Sequence, residues 1–296
     1  MAARKPFHGS LVWNLRRIGA ASALAATLAV AACSPPTPST APTASQSLAE
    51  ELIAAIGDPG DYPAEFRRTL AAELEGPEAA VGTKTIVAYR GGFDRDFSSP
   101  GDEEVADAAR AWFAAQRPGE RPRLTDDRLL RFGIWSGIQT GRPLQVHSGF
   151  GDPDLDLHRA DPLLLTNFIR ATEGQAPILL LHTYPFHRNA GYLAQMFPHV
   201  FLDVGLAINY AGVAAATIVA ESLELAPFSK VLFSSDAWGA PELHLLGSWL
   251  WRRSMARTLG EWVARGDWSR DDAERVVLLV AGENARRVYE LPDVPS

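Results

Sequence analysis

The amino-acid sequence predicts an α/β fold of the (β/α) barrel type with parallel strands. Short apolar runs alternate with helical patterns along the chain, which is typical of a parallel sheet covered by helices. Four of the runs end in a polar residue: His147 and His182 are 35 residues apart, and Asp203 and Asp236 are 33 apart. One strand–helix unit has about that length. From Ser47 onward about 250 residues remain, which is the typical size of one barrel.

The composition indicates a globular protein. Of 296 residues, 47% are hydrophobic and 21% are charged, which excludes a disordered or collagen-like chain. The formal net charge of −7 argues against nucleic acid as a partner, because such a partner needs a basic surface. Cys33 is the single cysteine, so the sequence excludes an internal disulfide and a metal site built from several cysteines.

Residues 1–33 have the pattern of a secretory signal peptide. They carry four basic residues and no acidic ones, and the 15 residues 18–32 are uncharged. Such a stretch is short for a membrane span, which needs about 20 residues. It ends in Val30-Ala31-Ala32-Cys33, which resembles a bacterial lipobox, in which the cysteine is lipidated. The alternative is a cytoplasmic protein whose first residue is wrongly assigned.

Residues 34–46 read SPPTPSTAPTASQ and are predicted to form a flexible tether rich in Pro, Ser and Thr. Acyl chains on Cys33 would hold the protein at a membrane without spanning it. The sequence therefore predicts an exported lipoprotein of the bacterial cell envelope, with a folded domain over residues 47–296.

Five strands are predicted from short runs rich in apolar and β-branched residues. The run that ends before His182 is apolar throughout, which is typical of a strand covered on both faces. The predicted strands are 83–89, 144–147, 178–182, 200–204 and 231–236.

Helices are predicted where apolar residues recur with a period near 3.6. Asp161 is a plausible N-cap of one of them. The predicted helices are 48–56, 64–74, 103–116, 126–140, 162–172, 189–196, 211–223, 243–263, 271–280 and 283–289. The sequence contains neither a GxGxxG motif nor a P-loop motif, so a dinucleotide or nucleotide fold is disfavoured.

The polar residues at the strand ends are the candidates for chemistry. Carboxyl ends of barrel strands meet at one mouth, where active sites lie. Imidazole nitrogens of His147 and His182 and the carboxylate of Asp236 suit Zn²⁺ and other divalent ions. Such an ion polarises a substrate carbonyl and acidifies water, and a carboxylate can take the proton of that water. Asp203 is interpreted as a supporting residue.

The same region resembles a known family. The segments VHSGFGDPDLDL (146–157), LLHTYPFHRNAGYLA (180–194), KVLFSSDAWGAPEL (230–243) and GENARRVYEL (282–291) are similar to the metal-dependent amidohydrolase superfamily. Within it, the amidohydrolase-related branch of FluG/nodulin type is the most similar. The resemblance implies a TIM-barrel-like fold and hydrolysis of a C–N or C–O bond in a small polar substrate through metal-activated water. It also allows metal-dependent decarboxylation.

The resemblance assigns roles to individual residues. His147 and His182 match the metal ligands after the fifth and sixth strands. Asp236 matches the aspartate after the eighth strand, which is both a metal ligand and the general base. Lys84 matches a fourth-strand lysine that bridges two metals in parts of the superfamily, although a plain ion pair would also explain it. Zinc is the ion that this set favours.

Four further residues are candidates for substrate binding. Tyr89 and Arg90 belong to the same block as Lys84 in the resemblance. His187 with Arg188 could bind a substrate carboxylate, since guanidinium and carboxylate form paired hydrogen bonds. The alternative for this pair is a solvated helix start.

One feature departs from the superfamily pattern. The superfamily's first strand ends in His-x-His, but no two of the seven histidines are separated by one residue. The resemblance begins just ahead of the fourth strand, so the sequence predicts an incomplete barrel with strands four to eight. An alternative function is therefore a catalytically inactive, membrane-tethered barrel remnant that binds a ligand or has no activity. That reading predicts an open sheet and possible oligomers.

Overall fold

The structure, a computed structural model, describes residues 44–291 apart from 77, 78, 118, 238 and 239. The predicted signal peptide with Cys33, and most of the predicted tether, lie outside the described residues. The first described helix begins at Ala44, within the segment predicted as tether. No helix of the described part combines the length and the apolar character needed to cross a membrane.

Helices make up most of the described chain. Ten of the eleven α-helices in the described residues begin and end within four residues of the predicted positions, whereas the helix Gly205–Ala211 was not predicted. Side-chain caps mark several helix starts. The Asp126 carboxylate accepts hydrogen bonds from the Arg128 and Leu129 backbone amides. The α-helices are α1 (Ala44–Ala55), α2 (Tyr62–Glu73), α3 (Asp102–Ala114), α4 (Asp127–Gln139), α5 (Thr166–Ala171), α6 (His187–Met196), α7 (Gly205–Ala211), α8 (Ala215–Ser222), α9 (Glu242–Arg265), α10 (Arg270–Leu278) and α11 (Asn284–Val288).

The strands form one parallel sheet in the order β1-β2-β3-β4. They are β1 (Thr83–Thr85), β2 (Leu144–His147), β3 (Ile178–Leu181) and β4 (Val200–Leu202). Helices connect successive strands, so the parallel α/β fold is confirmed. The sheet has four strands and does not close into a barrel within the described residues.

Four of the five predicted strands are shorter than expected, and β2 alone has its predicted bounds. Two of the four differ most. The strand predicted over 83–89 ends at Thr85, and Val87–Arg90 form a 3₁₀ turn. The Thr85 hydroxyl accepts a hydrogen bond from the Val87 amide at 3.2 Å, which turns the chain out of the sheet. In the strand predicted over 231–236, only Val231 pairs with β4, through a single bridge to Leu202.

The hydrogen bonds between β4 and the segment 231–236 end at Leu232, because the next backbone amide, that of Phe233, bonds to a different segment. Phe233 donates its N–H to the Val280 carbonyl at 3.0 Å, in a short π-helix over Leu279–Glu283. Two helix predictions are also corrected. Residues 162–165 are 3₁₀ rather than α-helical, and the helix predicted over 211–223 is interrupted at Gly212, whose φ is +54°.

The two faces of the sheet carry separate apolar clusters. Ile178 and Leu180 of β3 belong to the large core beneath the helices. Leu179 and Leu181 point to the other face, since side chains alternate along a strand. There they pack with Leu232 and with the carboxyl-terminal helix through Ala285, Val288 and Tyr289. The carboxyl-terminal segment thus covers the face that a closed barrel would enclose.

Candidate metal centre

His147 and His182 are the centre of the candidate site. They stand at the carboxyl ends of the adjacent strands β2 and β3, as the spacing predicted. His147 Nδ1 and His182 Nε2 are 2.6 Å apart, and the ring centroids are 4.5 Å apart. Both residues are buried, with 5% and 2% of their surface exposed.

Both imidazoles are held neutral. Burial lowers the pKa of His147 well below its ordinary value, and the neighbouring His182 and Lys84 lower it further, while Asp236 acts in the opposite direction. Burial lowers the pKa of His182 in the same way, again with a contribution from Lys84. A neutral imidazole has a free lone pair, so the pair is in the protonation state that metal ligation requires.

Asp236 lies on the far side of the His182 ring. Its Oδ2 is 3.2 Å from His182 Nδ1, the nitrogen opposite to the one that faces His147. The contact is electrostatic, since its angles do not make a hydrogen bond. Both Asp236 and His182 have positive φ, at +44° and +41°. Non-glycine residues rarely adopt that conformation, and it concentrates at functional sites.

Asp203 supports the backbone of this turn. Its Oδ1 accepts hydrogen bonds from the His182 amide at 2.9 Å and from the Gly205 amide at 2.8 Å. Its carbonyl oxygen accepts from the amide and the hydroxyl of Thr183. Burial raises the pKa of Asp203 to about 6, although these amides lower it. The interpretation of Asp203 as a supporting residue agrees with these contacts.

The Tyr89 ring packs against the His147 ring. The two ring centroids are 4.5 Å apart, and the Tyr89 hydroxyl accepts a hydrogen bond from the Asp152 amide. Burial raises the pKa of Tyr89 to about 12, so the phenol stays protonated. Gly151 allows this close approach, because a Cβ there would lie 1.9 Å from the Tyr89 hydroxyl oxygen.

The remaining candidate residues have different surroundings. Lys84 lies on β1 opposite Gln145 of β2, and its charge acts on both histidines. Arg90 is turned away from the histidines: its Nε donates to the Leu124 carbonyl, and its guanidinium is 3.6 Å from Glu50.

His187 and Arg188 are held by carboxylates of α8 and the residues that follow it. His187 Nε2 is 2.6 Å from Glu221 Oε2, and Arg188 donates to Glu224 at 2.8 Å. These contacts join α6 to the α8 region. The structure therefore brings His147, His182, Asp236 and Tyr89 together, and it gives Arg90, His187 and Arg188 protein partners of their own.

A cavity of about 40 Å³ lies between the sheet and the carboxyl-terminal helix, next to Asp236. Its walls are leucines and its polar groups include Asp203 and Asp236, whereas neither histidine lines it. Gln145 and Tyr289 also line this cavity, and the Gln145 side chain donates a hydrogen bond to the Tyr289 hydroxyl at 2.5 Å. The sequence analysis did not identify either residue as part of the site. The position of Gln145, two residues before His147 on the same strand face, was the available signal.

The imidazole nitrogens and the carboxylate are ligands that suit a divalent ion. In this structure, however, His147 and His182 contact each other through the nitrogens that would face the ion. Among the described residues, no three His, Cys, Asp or Glu side chains form a ready metal-binding group. Zinc–nitrogen bonds are about 2.0–2.1 Å long, so an ion held by the two facing nitrogens would part the rings. His147 Nε2 and His182 Nδ1 are buried without hydrogen-bond partners, as expected for a polar site awaiting a further ligand or proton.

Comparisons with known proteins match this region. The family model described as Amidohydrolase matches residues 115–291, a range that includes both histidines and Asp236 but not Lys84 or Tyr89. The protein fluG of Emericella nidulans is 31% identical over 228 residues, which are 73% of this chain and 26% of that protein.

A solved structure also resembles the chain. It is from Lactobacillus casei ATCC 334 and is described as a candidate metal-dependent hydrolase. The two align with a TM-score of 0.74 and 26% identity over 84% of this chain and 64% of the other. The chain thus spans about a quarter of the length of the curated relative and under two thirds of the solved chain.

Proposed function

The chain belongs to the amidohydrolase family, and from that premise we propose that it is a metal-dependent hydrolase. Its substrate would be a small polar molecule with a C–N or C–O bond to be cleaved. The observation that carries the proposal is the pair of buried, neutral imidazoles of His147 and His182 at adjacent strand ends. The description of the Lactobacillus casei protein supports the same reaction class.

The chain's own residues suggest how the site works. His147 and His182 would hold a divalent ion, zinc in the first place, with Asp236 and Lys84 beside them. A bound ion of this kind polarises a carbonyl and lowers the pKa of water. The charge of Asp236 favours a proton on His182 Nδ1, which leaves the Nε2 lone pair for a ligand.

Asp236 is the residue proposed to accept the proton of the attacking water. Its side chain keeps 22% of its surface exposed, so water can reach the carboxylate. It also borders the cavity between the sheet and the carboxyl-terminal helix. Tyr89 would shield His147 from bulk solvent, since the phenol ring covers the imidazole.

Metal content is the direct test. We expect about one equivalent of zinc or manganese in the purified chain, and at least a tenfold weaker affinity in His147→Ala and in His182→Ala. The order of magnitude follows from the 10–100-fold losses seen even for groups behind the ligands. His158→Ala is the matched control, because His158 is exposed and should not affect metal binding.

One result would contradict the proposal. If a folded wild-type chain takes up neither zinc nor manganese on reconstitution, the metal-dependent hydrolase mechanism is wrong. That result would favour the inactive, membrane-tethered remnant instead. If the metal-loaded protein releases carbon dioxide from a substrate carboxylate and hydrolyses no bond, the alternative function of a metal-dependent decarboxylase is favoured.

We also propose that the protein is an exported lipoprotein anchored through Cys33. The basic start, the short uncharged stretch and the following Pro/Ser/Thr-rich segment support this location. Mass spectrometry of the amino terminus and membrane fractionation test it. Cys33→Ser should abolish lipid attachment, and an unmodified, cytoplasmic wild-type chain would contradict the proposal.

A further inference from the structure

Three aromatic side chains form a cluster beside the candidate site, which we call the aromatic rim: Phe150, Tyr184 and Tyr210. The Phe150 ring meets Tyr184 at a centroid distance of 6.1 Å and an interplanar angle of 89°. It meets Tyr210 at 5.4 Å and 78°. These are edge-to-face contacts, the favoured arrangement of aromatic pairs.

Two members of the aromatic rim follow the metal-site histidines directly. Phe150 is three residues after His147, and Tyr184 is two residues after His182. The two turns are joined, because the Phe150 amide donates to the Tyr184 carbonyl at 2.8 Å. The rings therefore stand at the carboxyl end of the sheet, where the histidines also lie.

The third member is attached to the Asp236 side of the site. Tyr210 lies on α7, which follows β4 and Asp203. Its neighbour Asn209 donates a hydrogen bond from Nδ2 to the Ser235 carbonyl at 3.0 Å. This bond fixes α7 against the segment that presents Asp236. The segments after β2 and β3 thus each supply a histidine and an aromatic ring, and the segment after β4 supplies the supporting residue Asp203 and Tyr210.

The aromatic rim is open to solvent. Tyr210 exposes 76% of its surface and Tyr184 exposes 37%. Exposed aromatic surface next to a polar site is typical of ligand recognition. A flat ring of a ligand that stacks on the open face of Tyr210 would lie next to the turns that follow His147 and His182.

We propose that the aromatic rim binds a flat unsaturated ring of the substrate. The substrate class is then an aryl compound whose hydrolysable amide or ester group reaches the histidine pair. This inference rests on the proposed hydrolase function and names its substrate class. One aromatic contact is worth about a 3- to 10-fold change in affinity.

The test measures binding of three amides to the purified full chain by ligand-observed NMR titration. Benzamide has a flat ring, cyclohexanecarboxamide has a ring of equal size that is not flat, and acetamide has none. We expect benzamide to bind more tightly than cyclohexanecarboxamide. Tyr210→Ala should weaken benzamide about 3- to 10-fold and leave acetamide unchanged.

Two further variants make the comparison specific. Tyr210→Trp keeps a flat ring and should retain benzamide binding. Tyr192→Ala is the matched control, since Tyr192 is 45% exposed on α6 and is outside the aromatic rim. Equal affinity for the two cyclic amides, or an unchanged benzamide affinity in Tyr210→Ala, would overturn the inference.

The amide-binding test of the aromatic rim and the metal-content test of the hydrolase function can fail independently. Amide binding is measured without added metal, whereas the hydrolase function depends on the metal content. Loss of metal binding with an intact benzamide preference would remove the hydrolase and keep the aryl site. A change of oligomeric state in Tyr210→Ala, with unchanged benzamide binding, would show that the aromatic rim is a subunit interface and would overturn the inference.

Discussion

Replacing Asp203 with alanine is expected to destabilise the protein and to disorder the histidine pair. Asp203 Oδ1 accepts the amides of His182 and Gly205 at 2.9 and 2.8 Å. Alanine leaves both buried amides without an acceptor, at about 1–3 kcal/mol each. At pH 4, where the Asp203 carboxyl is protonated in the folded state, we therefore expect a loss of about 4 kcal/mol in the free energy of unfolding, within the range that these two costs span.

Asparagine at the same position separates the hydrogen bonds from the charge. Its side-chain oxygen can still accept both amides, so Asp203→Asn should lose less than about 1.5 kcal/mol. His182 has a φ of +41°, a conformation that costs about 1–3 kcal/mol and needs support from its surroundings. Metal affinity should accordingly fall in Asp203→Ala and persist in Asp203→Asn.

The pH dependence has a definite sign. Burial raises the pKa of Asp203 from 3.8 to about 6, so the folded state favours the protonated carboxyl. Its contribution to stability is present below about pH 4 and is lost as the pH rises to about 6. The loss is about 3 kcal/mol in the metal-free protein. Asp203→Asn should lack this part of the pH profile.

The assay is urea unfolding of the metal-free protein, followed by circular dichroism between pH 4 and 7. Asp58→Ala is the control, since Asp58 accepts the Gly60 amide in an exposed cap and its loss should cost about 1 kcal/mol. At pH 4, an Asp203→Ala variant within about 1 kcal/mol of wild type, or an asparagine variant as damaged as the alanine one, would refute the reasoning.

Three further predictions test other contacts. Gly151→Ala places a Cβ against the Tyr89 hydroxyl and should lower the free energy of unfolding by about 1–3 kcal/mol; an unchanged melting temperature would contradict that packing. Tyr289→Phe removes the hydroxyl that accepts a hydrogen bond from the Gln145 side chain and should cost about 0.5–1.5 kcal/mol in urea unfolding; a cost near zero would contradict a stabilising role of this bond. Burial lowers the pKa of His199, so its contribution to stability is lost as the pH falls below 6.5. In melting scans from pH 5 to 7.5, His199→Phe should flatten that loss, and parallel profiles would exclude this role.

The sequence alone determined the parallel α/β fold and the place of the histidine pair. Hydrophobic periodicity and the spacing between strands can be read within the sequence itself. The runs before His147 and His182 therefore predict strands that are covered on both faces. Adjacent parallel strands then bring their carboxyl ends together. The family was predicted from the segments after His147, and the comparisons confirm it. The roles of the metal and substrate residues stay predictions.

Strand ends were harder to predict because competing hydrogen bonds decide them. Phe233 leaves the sheet since its amide bonds to Val280, 47 residues further along the chain. Nothing in the run from Val231 to Asp236 indicates that competitor. The early end of β1 depends on a nearer group, the Thr85 hydroxyl, but a threonine in a β-branched run ordinarily favours a strand.

Tertiary structure alone decided how the site is enclosed. Gln145 meets Tyr289 across 144 residues of chain, and Phe150 meets Tyr210 across 60. The side of His182 that faces Asp236 depends on two residues with positive φ, which no propensity predicts. Such contacts join side chains that share no sequence pattern. Their geometry follows from packing of the whole domain, whereas strand and helix periodicity is already present in each segment.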